Sequence, residues 1–245
     1  MQKLEDLEKN LPQNTNGKSL LTDQPLLDRG MNLEECKVMC TSSIIPLREK
    51  VFFRIIYESQ FRPDEVLNLL IENWDRQQHL VTAVKVKQKT APVEGDRHKK
   101  VHLLSRPRTA ILTDNTNEML RTIVSNRKKG FIFVNEKGKR LSMAWFKTQI
   151  NHYAKLLGFQ KATRYYNEKN NNPDKVHPRY LVTCMALREA GERHHDNAGG
   201  SRKLSAVSAG HTMAVKEQHY EKVGEDFEQV HQSMKKFHPA FVEGW

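Results

Sequence analysis

The sequence predicts a mainly α-helical domain carrying a small antiparallel β-sheet. Apolar residues recur at three- and four-residue spacing through most of the chain, as in Val51, Phe52, Ile55 and Ile56, or Trp145, Phe146, Ile150, Tyr153 and Leu157. Sustained alternation of apolar and polar residues is confined to the stretch between 80 and 104. Capping residues and Gly or Pro signals fall at the ends of the periodic segments, so the helices are short and separated by turns.

Residues 1–30 are polar and broken by Pro12, Asn14, Asn16, Gly17, Pro25 and Gly30. They read as an N-terminal tail, because such composition cannot bury enough apolar surface to offset the entropy of ordering. Residues 31–223 form the predicted domain, and 224–245 a C-terminal helix and tail. Asn32 caps a first helix at Leu33-Glu34-Glu35, and a second follows Pro46 with Val51, Phe52, Ile55 and Ile56 on one face. Arg62 then stands at the N-cap of a helix whose first turn is Pro63-Asp64-Glu65, with Val66, Leu67, Leu69 and Leu70 inward.

The run Leu80–Lys89 alternates, and Lys100–Leu104 alternates again after Pro92 to Gly95, which predicts a basic β-hairpin. Thr113-Asp114 caps a helix bearing Met119, Leu120 and Ile123. Phe131–Val134 reads as a short buried strand that completes the sheet, turned at Lys137-Gly138-Lys139. Ser142 caps the Trp145–Leu157 helix, and Gly158 ends it. Lys161 to Lys175 is a polar connector. His177-Pro178-Arg179 opens a further predicted helix through Leu181, Val182, Met185, Ala186 and Leu187, ending at Ala190-Gly191. Next comes an expected flexible insertion, in which His194 and His195 are solvated, and a helix at Leu204–Val207. Beyond Gly224, Phe227, Val230, Met234 and Phe237 form an apolar stripe that needs a partner surface, either a neighbouring protomer or the chain's own domain.

Composition narrows the function. With 40 Lys and Arg against 29 Asp and Glu, the 245-residue chain carries a net charge of +11, which favours a polyanionic partner. No apolar run approaches the roughly 20 residues of a membrane span, and Met1-Gln2-Lys3-Leu4-Glu5-Asp6 lacks a signal peptide's apolar region. The expected location is therefore the cytoplasm or nucleoid. Cys36, Cys40 and Cys184 are too few for a disulfide framework, and an odd count suits a reducing compartment. Cys36 and Cys40, one helical turn apart, read as helix packing.

Several groups suited to phosphodiester chemistry are spread along this order. Arginines offer bidentate forks for phosphate, and helix entrances add free N–H groups. Tyr220 lies in a polar helical segment, where a tyrosine is a poor core residue. In sequence order the boxes are Arg62-x-x-Glu65, Lys89-Thr90 at the hairpin, His177-Pro178-Arg179, Gly210-His211, and Tyr220 nine residues after His211. Together they resemble the catalytic domain of the tyrosine recombinases, the phage lambda integrase family, over about Asn32 to Tyr220.

The resemblance implies a site-specific recombinase or integrase acting on double-stranded DNA, encoded by a mobile element and working without cofactor, metal ion or ATP. In it Arg62 and Arg179 clamp the scissile phosphate, and His177 and His211 hydrogen-bond it or assist proton transfer. Tyr220 attacks to give a 3′-phosphotyrosine intermediate, and Lys89 protonates the leaving 5′-hydroxyl, with Lys87 as a substitute. A homo-oligomer on DNA, a tetramer in synapsis, is implied as well. The family also places a helical clamping domain before the catalytic one, for which the tail has no room. Arg164, Arg193, Arg202 and Lys203 are further candidate DNA contacts.

One box departs from the family. His177-Pro178-Arg179 is a residue shorter than His-x-x-Arg, and a one-residue slip in a helix turns a side chain by about 100°. Pro178 suits a first turn, where local adjustment would still present Arg179. Two alternatives remain open: an impaired DNA-binding relic of the family, and a nicking enzyme like topoisomerase IB.

Overall fold

The computed structural model describes residues 31–84, 90–93, 96–102, 107–160, 162–165, 177–201, 204, 208 and 223–245, with 90–93, 96–102, 162–165, 177–180 and 223–227 described by backbone alone. It is mainly α-helical with small antiparallel sheets. Asn32 opens α1 (Leu33–Thr41) with a full capping box, accepting Glu35 N–H at 2.8 Å while Glu35 accepts Asn32 N–H at 2.9 Å. Cys36 and Cys40 face the core, and burial pushes both thiols up, Cys40 to about 12.

The second helix, α2 (Leu47–Ser59), is the centre of the molecule. The sequence predicts one apolar face, but everything from Val51 to Ser59 is buried, Arg54 and Glu58 included. The reason is tertiary: α1, α4 (Asp114–Val124) and α6 (Cys184–Asn197) all pack against it, leaving no solvent side. Its buried charges neutralise each other one turn apart at 3.2 Å. Thr116 Oγ1 donates to Glu58 at 2.6 Å, Thr113 N–H donates to it at 3.0 Å, and Arg54 donates to Thr116 Oγ1 at 2.6 Å. A buried ion pair persists only when such hydrogen bonds satisfy the remaining lone pairs and protons.

After α3 (Pro63–Leu67) a three-stranded antiparallel sheet runs in the order β1 (Trp74–Asp75), β2 (Leu80–Ala83), β5 (Arg108–Ile111). A separate ladder pairs β3 (Thr90–Val93) with β4 (Asp96–His102). The predicted hairpin is therefore longer than 80–104. Antiparallel register counted outward from the turn sets Leu80 opposite Ile111 and Ala83 opposite Arg108. The predicted strand at Phe131–Val134 is also replaced. Only single bridges form there, Leu70 with Phe131 and Val134 with Arg140, while Ile132 and Phe133 are buried.

Thr113 caps α4, accepting Thr116 N–H at 3.2 Å, and Ser142 caps α5 (Met143–Leu156), accepting Trp145 N–H at 3.2 Å. Phe146 of α5 stacks on Phe52 of α2 with ring centroids 3.6 Å apart. Gly158, at φ +79°, takes the chain out of α5 in a conformation that favours glycine.

Two expectations fail near the next helix. His177–Tyr180 is a strand, β7, paired antiparallel with β6 (Ala162–Tyr165), and it does not open a helix. A proline signals a first helical turn, but an edge of a two-stranded ladder tolerates a missing N–H equally well. The helix start lies at Thr183, whose Oγ1 accepts Ala186 N–H at 3.0 Å. Nor does this helix end at Gly191. There α6 crosses α2 so closely that a Cβ would collide with the Tyr57 carbonyl, so the glycine is a contact point and the helix runs on to Asn197. His194 and His195 are consequently buried helical residues, not solvated ones.

The C-terminal segment forms α7 (Val223–Phe237) and α8 (Pro239–Val242). Of the stripe predicted on it, Val230 and Met234 are buried with Ile111 and partly buried Leu80, Leu204 and Phe241 of the same chain. Trp245 stacks on Tyr57 with centroids 5.2 Å apart, and Arg54 donates to the Trp245 carbonyl oxygen. Among the described residues no helix is long and apolar enough to cross a membrane.

Candidate active site

Arg62 sits at the N-cap of α3, as its Pro63-Asp64-Glu65 turn predicts. Glu65, almost wholly buried, reaches back to accept the Arg62 N–H at 2.8 Å, and its other oxygen faces the Arg62 guanidinium at 3.2 Å. The carboxylate thus fixes both the backbone and the fork of this arginine, while 28% of the Arg62 side chain stays open to solvent.

Two further arginines converge here, and neither is in the predicted set. Arg108, on β5, donates to Glu65 at 2.6 Å, lies with its guanidinium carbon 4.9 Å from the centre of the Phe61 ring, and donates to the Ser208 carbonyl. Burial pulls its pKa down to about 10, against the support of Glu65, and Arg188 and Arg62 push it the same way. Arg188, on α6, is 2% exposed. Its Nε donates to the Gln60 carbonyl at 2.7 Å, two residues before Arg62, and its Nη2 meets Glu192 at 3.3 Å. Burial lowers its pKa too, and the Arg62 charge adds to that shift.

Two guanidiniums therefore bind one buried carboxylate, and Arg188 with Glu192 packs close by, at the Gln60 carbonyl. Arg62 lowers the pKa of both Arg108 and Arg188, and Arg188 lowers that of Arg108, so an anion placed among them relieves repulsion. Because Arg62 retains solvent exposure while the other two are packed, the cluster offers one outward fork on a rigid backing.

Arg179 is on β7, opposite Thr163, and its side chain and that of His177 lie outside the described residues. The helix arginine beside Arg62 is Arg188. The signal that could have found it is an arginine on an apolar helical face, since Cys184, Leu187, Gly191 and His194 share that face at helical spacing. Counting His-x-x-Arg back from Arg188 puts Met185 where the family shows histidine, and Met185 is exposed.

Other predicted residues fall differently. Lys87, Lys89, Arg202, Lys203, His211 and Tyr220 lie outside the described residues, as does the side chain of Arg164. Arg193 is drawn away from the cluster, donating to the Met31 carbonyl at the start of α1. A cavity of about 830 Å³ between the 77–80 turn, the start of α4 and α7–α8 borders none of the three arginines.

Residues 32–168, more than half the chain, match the model of the phage integrase family. The chain belongs to that family. Its fold is similar to that of XerA recombinase, with a TM-score of 0.56 at 15% identity over 86% of this chain. It is also similar to the Tn1549 transposon integrase in complex with transposon right end DNA, with a TM-score of 0.53 at 12% identity over 85% of this chain. At such identities the likeness is one of fold. The chain spans 65% of the XerA structure, under two thirds of its length, and 68% of the transposon integrase structure. No curated protein matches the chain.

Proposed function

We propose that the chain is the catalytic domain of a site-specific DNA recombinase that cuts and rejoins strands through a 3′-phosphotyrosine intermediate. The observation that carries this reading is the cluster of Arg62, Arg108 and Arg188 about Glu65 in a member of the phage integrase family. A phosphodiester in flight carries extra charge on its non-bridging oxygens, and preorganised guanidiniums stabilise that charge without reorganising.

In this reading Arg62 holds the scissile phosphate, and Arg188, packed beside it, adds positive charge to the site from the helix position first expected of Arg179. Tyr220 is the nucleophile. With an ordinary pKa near 10 it is a weak one, so it depends on the arginines to stabilise the charge that develops as its oxygen bonds to phosphorus. Lys89, or Lys87 in its place, gives a proton to the leaving 5′-hydroxyl. His211 hydrogen-bonds the phosphate. His177 loses the helix-entrance argument, because it stands on a strand. Attack by the freed hydroxyl of another strand reverses the first step and releases Tyr220, which needs neither ATP nor metal. Duplex DNA is the partner, and several protomers assemble on it. Since Val230 and Met234 are covered within the chain, that assembly uses another face or requires α7 to be released.

A second reading has an observation of its own. Met185 cannot donate a hydrogen bond or a proton, which favours a family member that binds DNA with impaired chemistry. The deciding experiment incubates the protein with nicked duplexes of randomised sequence and recovers covalent adducts for mass spectrometry. The recombinase reading expects a nucleotide on Tyr220 and no adduct in Tyr220→Phe. An adduct on another residue overturns the assignment, and none in the wild type favours the binding-only reading. Supercoil relaxation without exchange between two sites would mark a nicking enzyme.

A further inference from the structure

Glu65 accepts more than its own helix requires. Its Oε2 takes the Arg62 N–H at 2.8 Å and Arg108 Nη1 at 2.6 Å, while Oε1 faces Arg62 Nη1 at 3.2 Å. Arg108 is therefore bound to the carboxylate that sets Arg62. Its other nitrogen, Nη2, donates to the carbonyl of Ser208, a residue 100 positions away in sequence and two before Gly210. Ser208 is further tied to the end of α2, its hydroxyl donating to the Ser59 carbonyl at 3.5 Å. Only 12% of the Arg108 side chain is exposed, and both its terminal nitrogens are engaged by these two acceptors, while its buried Nε has no hydrogen-bond partner among the described residues.

We propose that Arg108 is a positioning residue: one guanidinium on β5 holds Arg62 through Glu65 and the segment at Ser208 through its carbonyl, fixing both in one frame. The planar fork suits this task. Its two terminal nitrogens have a fixed separation and direction, so the distance between two acceptors on unrelated segments is set by covalent geometry. Glu65 and the Phe61 ring hold the fork from two sides. The proposal rests on the recombinase reading for its catalytic consequence and on the structure alone for the tie between segments.

The test separates those two grounds. Arg108→Met keeps the volume and removes both donors, and Arg108→Lys keeps the charge but not the fork. In the full chain, hydrogen exchange over residues 59–67 and 201–208 should rise in Arg108→Met, with a smaller rise in Arg108→Lys. Single-turnover cleavage of the nicked duplex recovered from the randomised pool should slow by about 10- to 100-fold at saturating DNA, as expected of a misplacement remote from the chemistry. The half-saturating concentration should stay within about threefold, because no ground-state DNA contact is removed. If Arg108→Met does not fold, Arg108→Lys carries both measurements. Unchanged exchange in both segments overturns the tie. A loss of affinity with a salt slope shallower by about one means that Arg108 is a phosphate ligand, which also overturns the proposal. A wild type that forms no adduct removes the recombinase reading, and the exchange result still decides whether Arg108 links the segments.

Discussion

Arg188 and Arg62 differ in how they meet the solvent, and that difference sets what their loss should do. Arg62 is partly open, with Glu65 satisfied also by Arg108, so Arg62→Lys should leave the fold intact. Replacing a bidentate fork by a point charge at a phosphate site should cut adduct formation by about 10²-fold or more. Arg188 is packed, so Arg188→Ala would leave the Gln60 carbonyl and Glu192 short of a donor and cost stability as well, by about 3 kcal/mol or more on breaking a buried pair. Comparing thermal unfolding with trapped adduct for the two variants checks this: Arg62→Lys should move only the adduct, and Arg188→Ala both. Met185→His asks whether the missing imidazole limits the chemistry. A rise in cleavage rate is expected under the recombinase reading, and no change at any pH from 6 to 8 would count against the phosphate lying there.

Helix α6 packs against α1, α2, α5 and α7, and its devices are local enough to predict. Gly191 passes the Tyr57 carbonyl with no room for a methyl group, so Gly191→Ala forces α6 off α2. Overpacking of this kind costs about 1–3 kcal/mol, and circular dichroism melts should show it. Beyond Gly191 the same helix carries His194, whose Nδ1 lies 2.9 Å from the Tyr57 hydroxyl, and His195, whose Nε2 lies 3.0 Å from the Ser233 hydroxyl on α7. His238, at the start of α8, packs edge-on to Tyr57 with centroids 4.7 Å apart.

Burial holds His194 down to about 4, with Arg193 adding to the shift, and holds His238 down to about 3, with His195 and His194 adding to it. In the unfolded chain both return to the ordinary value near 6.5, so below that pH the unfolded state binds more protons. Their contribution to stability is complete above pH 6.5 and is lost as pH falls through the window down to about 4 for His194 and about 3 for His238. Each histidine removes about 1.4 kcal/mol per pH unit within its window. Melting temperature should therefore drop steadily from pH 7 to pH 5. His238→Asn, which keeps a side-chain acceptor for the α8 cap, should make that drop shallower, and an unaltered slope would show that His238 does not titrate on unfolding.

At the scale of the whole molecule, the net charge of +11 and the arginine cluster predict that the proposed DNA binding is an electrostatic event. Affinity for duplex DNA should fall by about 10³ or more between roughly 50 and 200 mM salt if six or more phosphates are neutralised. Fluorescence anisotropy across that range measures it, and affinity independent of salt would remove the DNA reading. With Val230 and Met234 buried against Ile111 and Trp245 stacked on Tyr57, α7–α8 contributes to the chain's own fold, so truncation before Val223 should lower thermal stability as well as alter assembly on DNA.

Local signals were legible in the sequence because their causes are local. Asn32, Thr113 and Ser142 cap helices through bonds to residues three positions away, and Arg62 with Glu65 forms its arrangement within a single turn. The order of the boxes was enough to indicate the family. What the sequence left open depended on partners distant along the chain. Whether His177-Pro178-Arg179 joins a helix or a strand was decided by pairing with Ala162–Tyr165, and whether His194 is wet or dry by the close passage of Gly191 over Tyr57. The cluster at Glu65 joins residues 62, 108 and 188, whose approach no periodicity encodes. Capping and amphipathicity act over a turn or two, whereas the placing of a guanidinium beside a carboxylate on another element is fixed only when α2 is enclosed and every surrounding element has taken its position.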